Sequence, residues 1–237
     1  MNRSINIVIF IFIQLSFGYS QITHGEILFE RKTNLLKKYK SPEQQRWLRG
    51  EKVKIDRFKL YFSPQKSVFI PEESAVPSKA DWATSKNTVI QDFDSNERIS
   101  IYNLFGEKKT VKDKLISRTW KITERKRNIA GYSCRRAIWP KNDSTRIYAW
   151  YTDQIIPSTG PESFNGLPGT ILGLATEDGG VVYFAKIVQE KYQNMDEITS
   201  DIKIKKTYTE KELKEELEQK GKSNPWMSRI INYLFEW

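Results

Sequence analysis

DRFKLYFSPQKSVFI, residues 56–70, decides the fold class. Phe58, Leu60 and Phe62 recur at every second position, Ser63-Pro64-Gln65-Lys66 breaks the run, and Val68 and Ile70 resume it. A period of two puts one row of side chains on one side of a pleated strand, and the break predicts a hairpin turn. The same period appears upstream in GEILFERKT (25–33) and downstream in ERISIYNLF (97–105) and KTVKDKLIS (109–117), which flank Gly106-Glu107-Lys108. Trp120 and Ile122 share a face, a turn through the charged residues precedes Ala130-Gly131, and a strand ends at Trp139. TRIYAWYTD (145–153) and DIKIKKTY (201–208) read as further strands. TILGLATEDGGVVYFAKIVQE (170–190) reads as a hairpin closed around Asp178-Gly179, a dipeptide suited to the positive φ angles of tight turns.

Two stretches carry helical signals. Ser41 is a suitable N-cap, Pro42 fits the first helical position and Gly50 can end a short helix. Thr209 with Glu212 forms a capping box before KELKEELEQKG, where Leu213 and Leu217 make a thin apolar stripe fit for the outside of a sheet. The aromatic tail (Trp226, Tyr233, Phe235, Trp237) is expected to pack back onto the domain. About nine strands with short turns and few helices predict a mainly β fold: a curved or partly closed antiparallel sheet with one short N-terminal and one C-terminal helix.

The extreme N-terminus predicts export. Arg3 precedes an almost unbroken apolar run from Ile5 to Phe17, and Gly18-Tyr19-Ser20 supplies small residues at the positions a signal peptidase needs. As a helix that run reaches about 20 Å, short of a hydrocarbon core of about 30 Å. Residues 1–20 are therefore read as a signal peptide and 21–237 as a single β-rich domain of the periplasm or outer membrane, with no later apolar run able to span a membrane. Lys and Arg outnumber Asp and Glu by 39 to 29. Outside the cytoplasm such an excess meets anionic lipid head groups, acidic glycans or acidic proteins rather than nucleic acid. The cations are scattered along the chain, which suits solvated strand faces better than one binding stripe.

Composition also limits the chemistry. Cys134 is the only cysteine and His24 the only histidine, so no internal disulfide, multi-His or multi-Cys metal site is available. A Ser-His-Asp or Cys-His catalytic unit would have to use His24, close to the proposed cut. No phosphate-cradling glycine loop is present, since Gly166-Leu167-Pro168-Gly169-Thr170 lacks the required Lys. No catalytic residue, metal ligand or cofactor is assigned. Paired carboxylates remain open, with Asp153, Glu162 and Asp178 flanking the Gly166–Gly169 region.

Gly131-Tyr132 with Cys134, then Ala149-Trp150-Tyr151-Thr152, Gly160-Pro161 and Gly166-Leu167-Pro168-Gly169 follow one another in an order that resembles the GLPGLI family, exported proteins of Bacteroidota. The chain departs from the name-giving motif at Thr170, where the family pattern has Leu, and keeps Ile171. The resemblance implies a β-rich protein of the Gram-negative envelope and carries no established activity. Physically, Pro168 fixes one φ angle while Gly166 and Gly169 admit conformations closed to other residues. The result is a rigid, bent loop: either a corner turning the chain onto the sheet, or the rim of a cleft. In the second case Trp150, Tyr151 and Phe164 form an apolar wall with Gly166, Leu167, Pro168 and Gly169, and Asp153 or Glu162 supplies polar contacts.

The function expected on these grounds is non-catalytic binding in the bacterial envelope, the partner being an envelope protein or a lipid-like ligand held on the sheet's aromatic face. A periplasmic carrier of an apolar or amphiphilic ligand and a carboxylate-based hydrolase are the alternatives. Oligomeric state is not encoded legibly.

Overall fold

The computed structural model describes residues 21–73, 78–104, 106–142, 145–200, 202–204, 206–221 and 231. The proposed signal peptide and the aromatic tail lie outside them. Within them the chain is mainly β, in one open sheet that does not close into a barrel.

The chain enters on β1 (Gly25–Asn34), then makes two short helices, α1 (Leu35–Lys38) and α2 (Pro42–Trp47). A meander follows: β2 (Val53–Phe62), β3 (Lys66–Glu72), β4 (Thr88–Asp92), β5 (Glu97–Leu104) and β6 (Glu107–Lys114). A second meander comprises β7 (Lys121–Ile129), β8 (Tyr132–Asn142), β9 (Thr145–Thr152), β10 (Thr170–Thr176) and β11 (Val181–Glu190). Helix α3 (Met195–Ser200), β12 (Thr207–Tyr208) and α4 (Glu210–Gly221) end the described chain. The two meanders join where β1 pairs antiparallel with both β2 and β11, giving the order β12-β6-β5-β4-β3-β2-β1-β11-β10-β9-β8-β7. Only β12 on β6 is a parallel pairing among the described strands, so the sheet is mixed.

Sequence expectation and structure part at identifiable places. β4 shows no alternation because Val89, Ile90 and Gln91 are all buried, on both faces of the sheet. The charged residues 124–127 do not turn: β7 runs through them with a register shift between Ile122 and Lys126, and the reversal falls at Ala130-Gly131. Among the described residues of 201–208 only Thr207 and Tyr208 pair, and Ile204 is exposed. Helices α1 and α3 are too short to register as a period. The capping boxes at Ser41/Gln44 and Thr209/Glu212 both form. Leu213 and Leu217 pack on Tyr102, Leu104 and Val111 of the sheet.

One face of the central strands carries the main core, with Ile27 and Phe29 of β1, Phe58, Leu60 and Phe62 of β2, and Phe69 of β3 all buried. Residues 153–169, between the adjacent strands β9 and β10, lie across this face. Ile155, Phe164 and Leu167 of that loop are buried in the same core. Its polar groups are tied down by the sheet: Thr159 Oγ1 to Ser67 Oγ at 2.9 Å, and Asn165 Nδ2 donating to Gln91 Oε1 at 2.6 Å. Arg118 donates to the Ser163 carbonyl at 2.8 Å and Ser163 Oγ at 2.9 Å, with its guanidinium 4.2 Å from the centre of the Phe164 ring. Burial, with the charge of Arg98, pulls the Arg118 pKa down to about 9.

The loop closes on Gly169, whose φ is +129° and where an added Cβ would sit 2.0 Å from the Thr152 carbonyl oxygen. Gly166, at φ +86°, meets only ordinary contacts beyond 3.5 Å. Gly169→Ala is therefore expected to destabilise the domain by roughly 3 kcal/mol or more, and Gly166→Ala by about 1 kcal/mol. Equal urea-unfolding midpoints for the two variants would contradict this account.

Candidate functional site

The row that buries Phe58, Leu60 and Phe62 also contains Lys54 and Asp56, and the row of Ile27 and Phe29 continues into Arg31 and Thr33. A strand cannot change which side chains face inward without a bulge. Charged residues therefore enter the interior while Val53 and Ile55 of the same strand face solvent. Arg31 and Asp56 are direct cross-strand partners.

Their charges are met on every side. Arg31 Nη2 bonds Asp56 Oδ2 at 2.7 Å and the Ser85 carbonyl at 2.6 Å, and its guanidinium lies 4.7 Å from the Phe58 ring centre. Thr84 Oγ1 donates to Asp56 Oδ2 at 2.8 Å, and Lys54 Nζ reaches Asp56 Oδ1 at 3.2 Å and Asp81 at 2.7 Å. From the 153–169 loop comes Glu162, 3.7 Å from Arg31 Nη1, with Tyr183 of β11 donating to its Oε1 at 2.6 Å. Burial raises the Asp56 pKa, but Arg31, Thr84 and Lys54 together outweigh it and hold the carboxyl below its ordinary range. At Glu162 burial dominates and pushes the carboxyl up, against the opposing pull of Arg31 and Tyr183. Glu162 also has φ +54°, a left-handed conformation costly for a residue with a Cβ.

Above this network is a cleft of about 820 Å³. Arg31 and Glu162 form its floor. One wall is the end of β1, α1 and α2, carrying Thr33, Asn34, Lys37, Gln44 and Trp47. The remaining walls are residues 84–87 and the β10–β11 turn with Asp178 and Gly180, which is tied to the end of β1 by Asn34 N–H donating to the Gly180 carbonyl at 2.7 Å. A satellite core of Leu35, Leu48, Ala80 and Ala83 fixes the helical wall, and Tyr39 Oη and Lys38 Nζ both donate to the Ala83 carbonyl. Lys37 Nζ donates to the Asp178 carbonyl across the cleft. Trp47 stands at the rim with 55% of its surface exposed.

The residues expected at a site do not assemble as one. Tyr151, Phe164 and Leu167 are core side chains. Trp120 and Trp139 close on Phe164, at 6.2 and 6.0 Å between ring centres. Trp150 is half-buried against Phe184 and Arg127. Gly166 and Pro168 are exposed, and Gly169 is buried at the loop's closing corner. Of the three flanking acids, Glu162 and Asp178 line the cleft, while Asp153 is exposed outside it. Arg31, Asp56, Tyr183 and Trp47 were not singled out from sequence. For Arg31 and Asp56 the signal was present, because each continues a buried row two residues beyond a Phe. Cys134 is buried, and burial raises its thiol to about 12. No group of His, Cys, Asp or Glu able to hold a metal ion occurs among the described residues. No described helix is long and apolar enough to cross a membrane.

A family model described as a protein of unknown function (Porph_ging) matches residues 140–173. That segment holds β9, the 153–169 loop and Glu162. No curated protein matches the chain. Among solved structures, PNGF-II in its C2 and P21 crystal forms is similar in fold, with a TM-score of 0.55 and 16% identity in each case. The match covers 79% and 78% of this chain but 31% and 32% of PNGF-II, so the chain spans about a third of the length of those structures. At this identity the likeness is one of fold alone.

Asp56→Asn leaves Arg31 and Lys54 buried beside a neutral partner, and is expected to cost about 3–5 kcal/mol in urea unfolding. The two buried acids have opposite pH signatures. Asp56, held low when folded, contributes stability that is present above its ordinary value and lost as pH falls through the folded one. Glu162, held high, makes stability fall as pH rises from its ordinary 4.5 towards the folded value, because the folded state keeps a proton that the unfolded chain releases. Unfolding free energies measured across that window should diverge in favour of Glu162→Gln as pH rises. Parallel wild-type and variant curves would contradict the assignment.

Proposed function

We propose that this chain is a non-catalytic binding domain of the bacterial envelope, of GLPGLI type, and that it binds a polar ligand in the cleft above Arg31 and Glu162. The observation that carries this reading is the state of the Glu162 carboxyl. It is buried in a strained backbone at the cleft floor, its Oε1 is engaged by Tyr183 and Arg31, and its Oε2 accepts no hydrogen bond among the described residues. A strained backbone that holds a half-engaged carboxyl against an open polar cleft is what a ligand site, rather than a packed core, tolerates. The envelope assignment rests on the N-terminal export pattern and the family resemblance.

Two observations favour binding over the alternatives. An apolar carrier needs an apolar cavity, whereas residues 153–169 occupy the aromatic face of the sheet, and among the described residues Trp47 and Val181 are the only large apolar side chains in the cleft lining. A carboxylate-pair hydrolase needs a second acid free to act beside Glu162, whereas both oxygens of Asp56 are engaged by Arg31, Thr84 and Lys54. Asp178 Oδ1 is taken up by Thr176 and Gly180 within its own turn, and Glu43 is exposed on α2.

The test is retention. The protein is incubated with an envelope extract and washed, and bound small molecules are identified by mass spectrometry. Wild type should keep a polar solute unchanged, and Asn87→Trp, which fills the cleft from its wall, should lose it. Stoichiometric lipid, or a solute converted during incubation, would overturn the proposal.

A further inference from the structure

We infer that the ligand of this cleft is a neutral saccharide, an inference that rests on the cleft being the binding site. Charge comes first. Four cationic side chains, Arg31 and three lysines, face three carboxylates in the lining. Arg31 is already neutralised by Asp56 and Glu162, and Lys37 and Lys38 donate to the backbone carbonyls of Asp178 and Ala83. With Asp56 beneath the floor, the four cations are matched by four carboxylates, so an anion meets Glu43, Glu162 and Asp178, a cation meets the lysines, and neither finds a net opposite charge. A neutral ligand incurs neither penalty.

The uncharged lining then sets the chemistry. Thr33, Ser85 and Asn87 offer hydroxyls and an amide that both donate and accept. The Asn34 and Gln44 amides keep their N–H donors while their oxygens cap α1 and α2, and Thr84 Oγ1, which donates to Asp56, keeps acceptor capacity. That suits a ligand whose surface is hydroxyl groups, each itself a donor and an acceptor. At the floor, Glu162 Oε2 is an acceptor without a donor among the described residues, and a sugar hydroxyl supplies one. At the rim, Trp47 presents an indole half in solvent. The C–H face of a pyranose ring is apolar and stacks on such a surface, which explains a large aromatic left exposed beside a polar cavity. The volume of about 820 Å³ lies within the roughly 300–1,000 Å³ range of ligand pockets.

The experiment is calorimetric titration of the full chain with chitotetraose, cellotetraose and maltotetraose, and with tetragalacturonic acid as an acidic counterpart. At least one neutral tetrasaccharide should bind more tightly than the acid. Trp47→Ala should weaken that binding about tenfold or more, and Trp47→Phe should restore most of it. Since Trp47 is exposed, unchanged urea unfolding should accompany both variants. Preference for the acid, or a Trp47→Ala variant that binds as well as wild type, would overturn the inference. If no tetrasaccharide binds while an extract solute is kept by wild type and lost in Asn87→Trp, the ligand class is wrong and the cleft stands. If Asn87→Trp keeps that solute too, the cleft itself fails.

Discussion

Arg31 and Asp56 face each other across the β1–β2 ladder at 2.7 Å, and most of the architecture around the cleft answers to that pair. Neither residue chose its side of the sheet. Phe29 on one strand and Phe58 on the other commit the pleat to its phase, and the next inward positions are charged. Val53 and Ile55 face water for the same reason. A bulge could have reset the phase at the cost of broken ladder bonds. The fold instead keeps the ladder and surrounds the charges with partners.

Meeting those charges recruits distant chain. Residues 84–85 bring a hydroxyl and a carbonyl, Asp81 draws Lys54, and the 153–169 loop delivers Glu162 from the far side of β11. These segments close around the pair from the sides and below rather than as a lid over it, so an open polar cleft lies above the network. On the apolar half of the same sheet face the loop does the opposite. Phe164 and Leu167 drop between Trp139 and the central aromatics and leave no room there. One loop thus fills one half of the face and floors the other, and the switch happens within two residues, between Glu162 and Phe164.

That division explains what could be read from sequence. The hairpins at 56–70 and 170–190, the capped helices and the rigid corner at Gly166–Gly169 are local, and local chemistry announces them. Glu162 could be suspected as a polar contact near the motif, because an acid beside a bent loop is visible in one dimension. Its partners could not, since Arg31, Tyr183 and the wall of residues 33–47 approach only once β1 has inserted between β2 and β11. The inward acid Asp56 was legible in principle from its parity with Phe58. It went unread because an alternation of apolar residues ends where charges begin, and a strand's phase does not. Phe164, Tyr151 and Leu167 were read as a wall facing a ligand. They pack on one another's side of the core because the space a concave sheet would offer is taken by their own loop.

Glu162 and most of the cleft walls come from different stretches of chain, and on the proposed reading this bears on how ligand choice is set. Glu162, with its left-handed backbone, and the Gly166–Gly169 corner both lie within residues 140–173, the segment matched by the family model. Trp47, Asn34, Gln44 and Asn87 lie outside it, on two short helices and a loop held to the sheet by a small separate core. Substitutions there alter what stands around a ligand without disturbing the buried charges beneath it, because none of these four side chains bonds Arg31, Asp56 or Glu162. A change at the floor has no such freedom: removing one member leaves another buried charge without its counterpart. The same scaffold can therefore present different walls above an unchanged base, so on the binding reading proposed above ligand choice falls to residues 33–47 and 84–87 rather than to the Gly166–Gly169 motif.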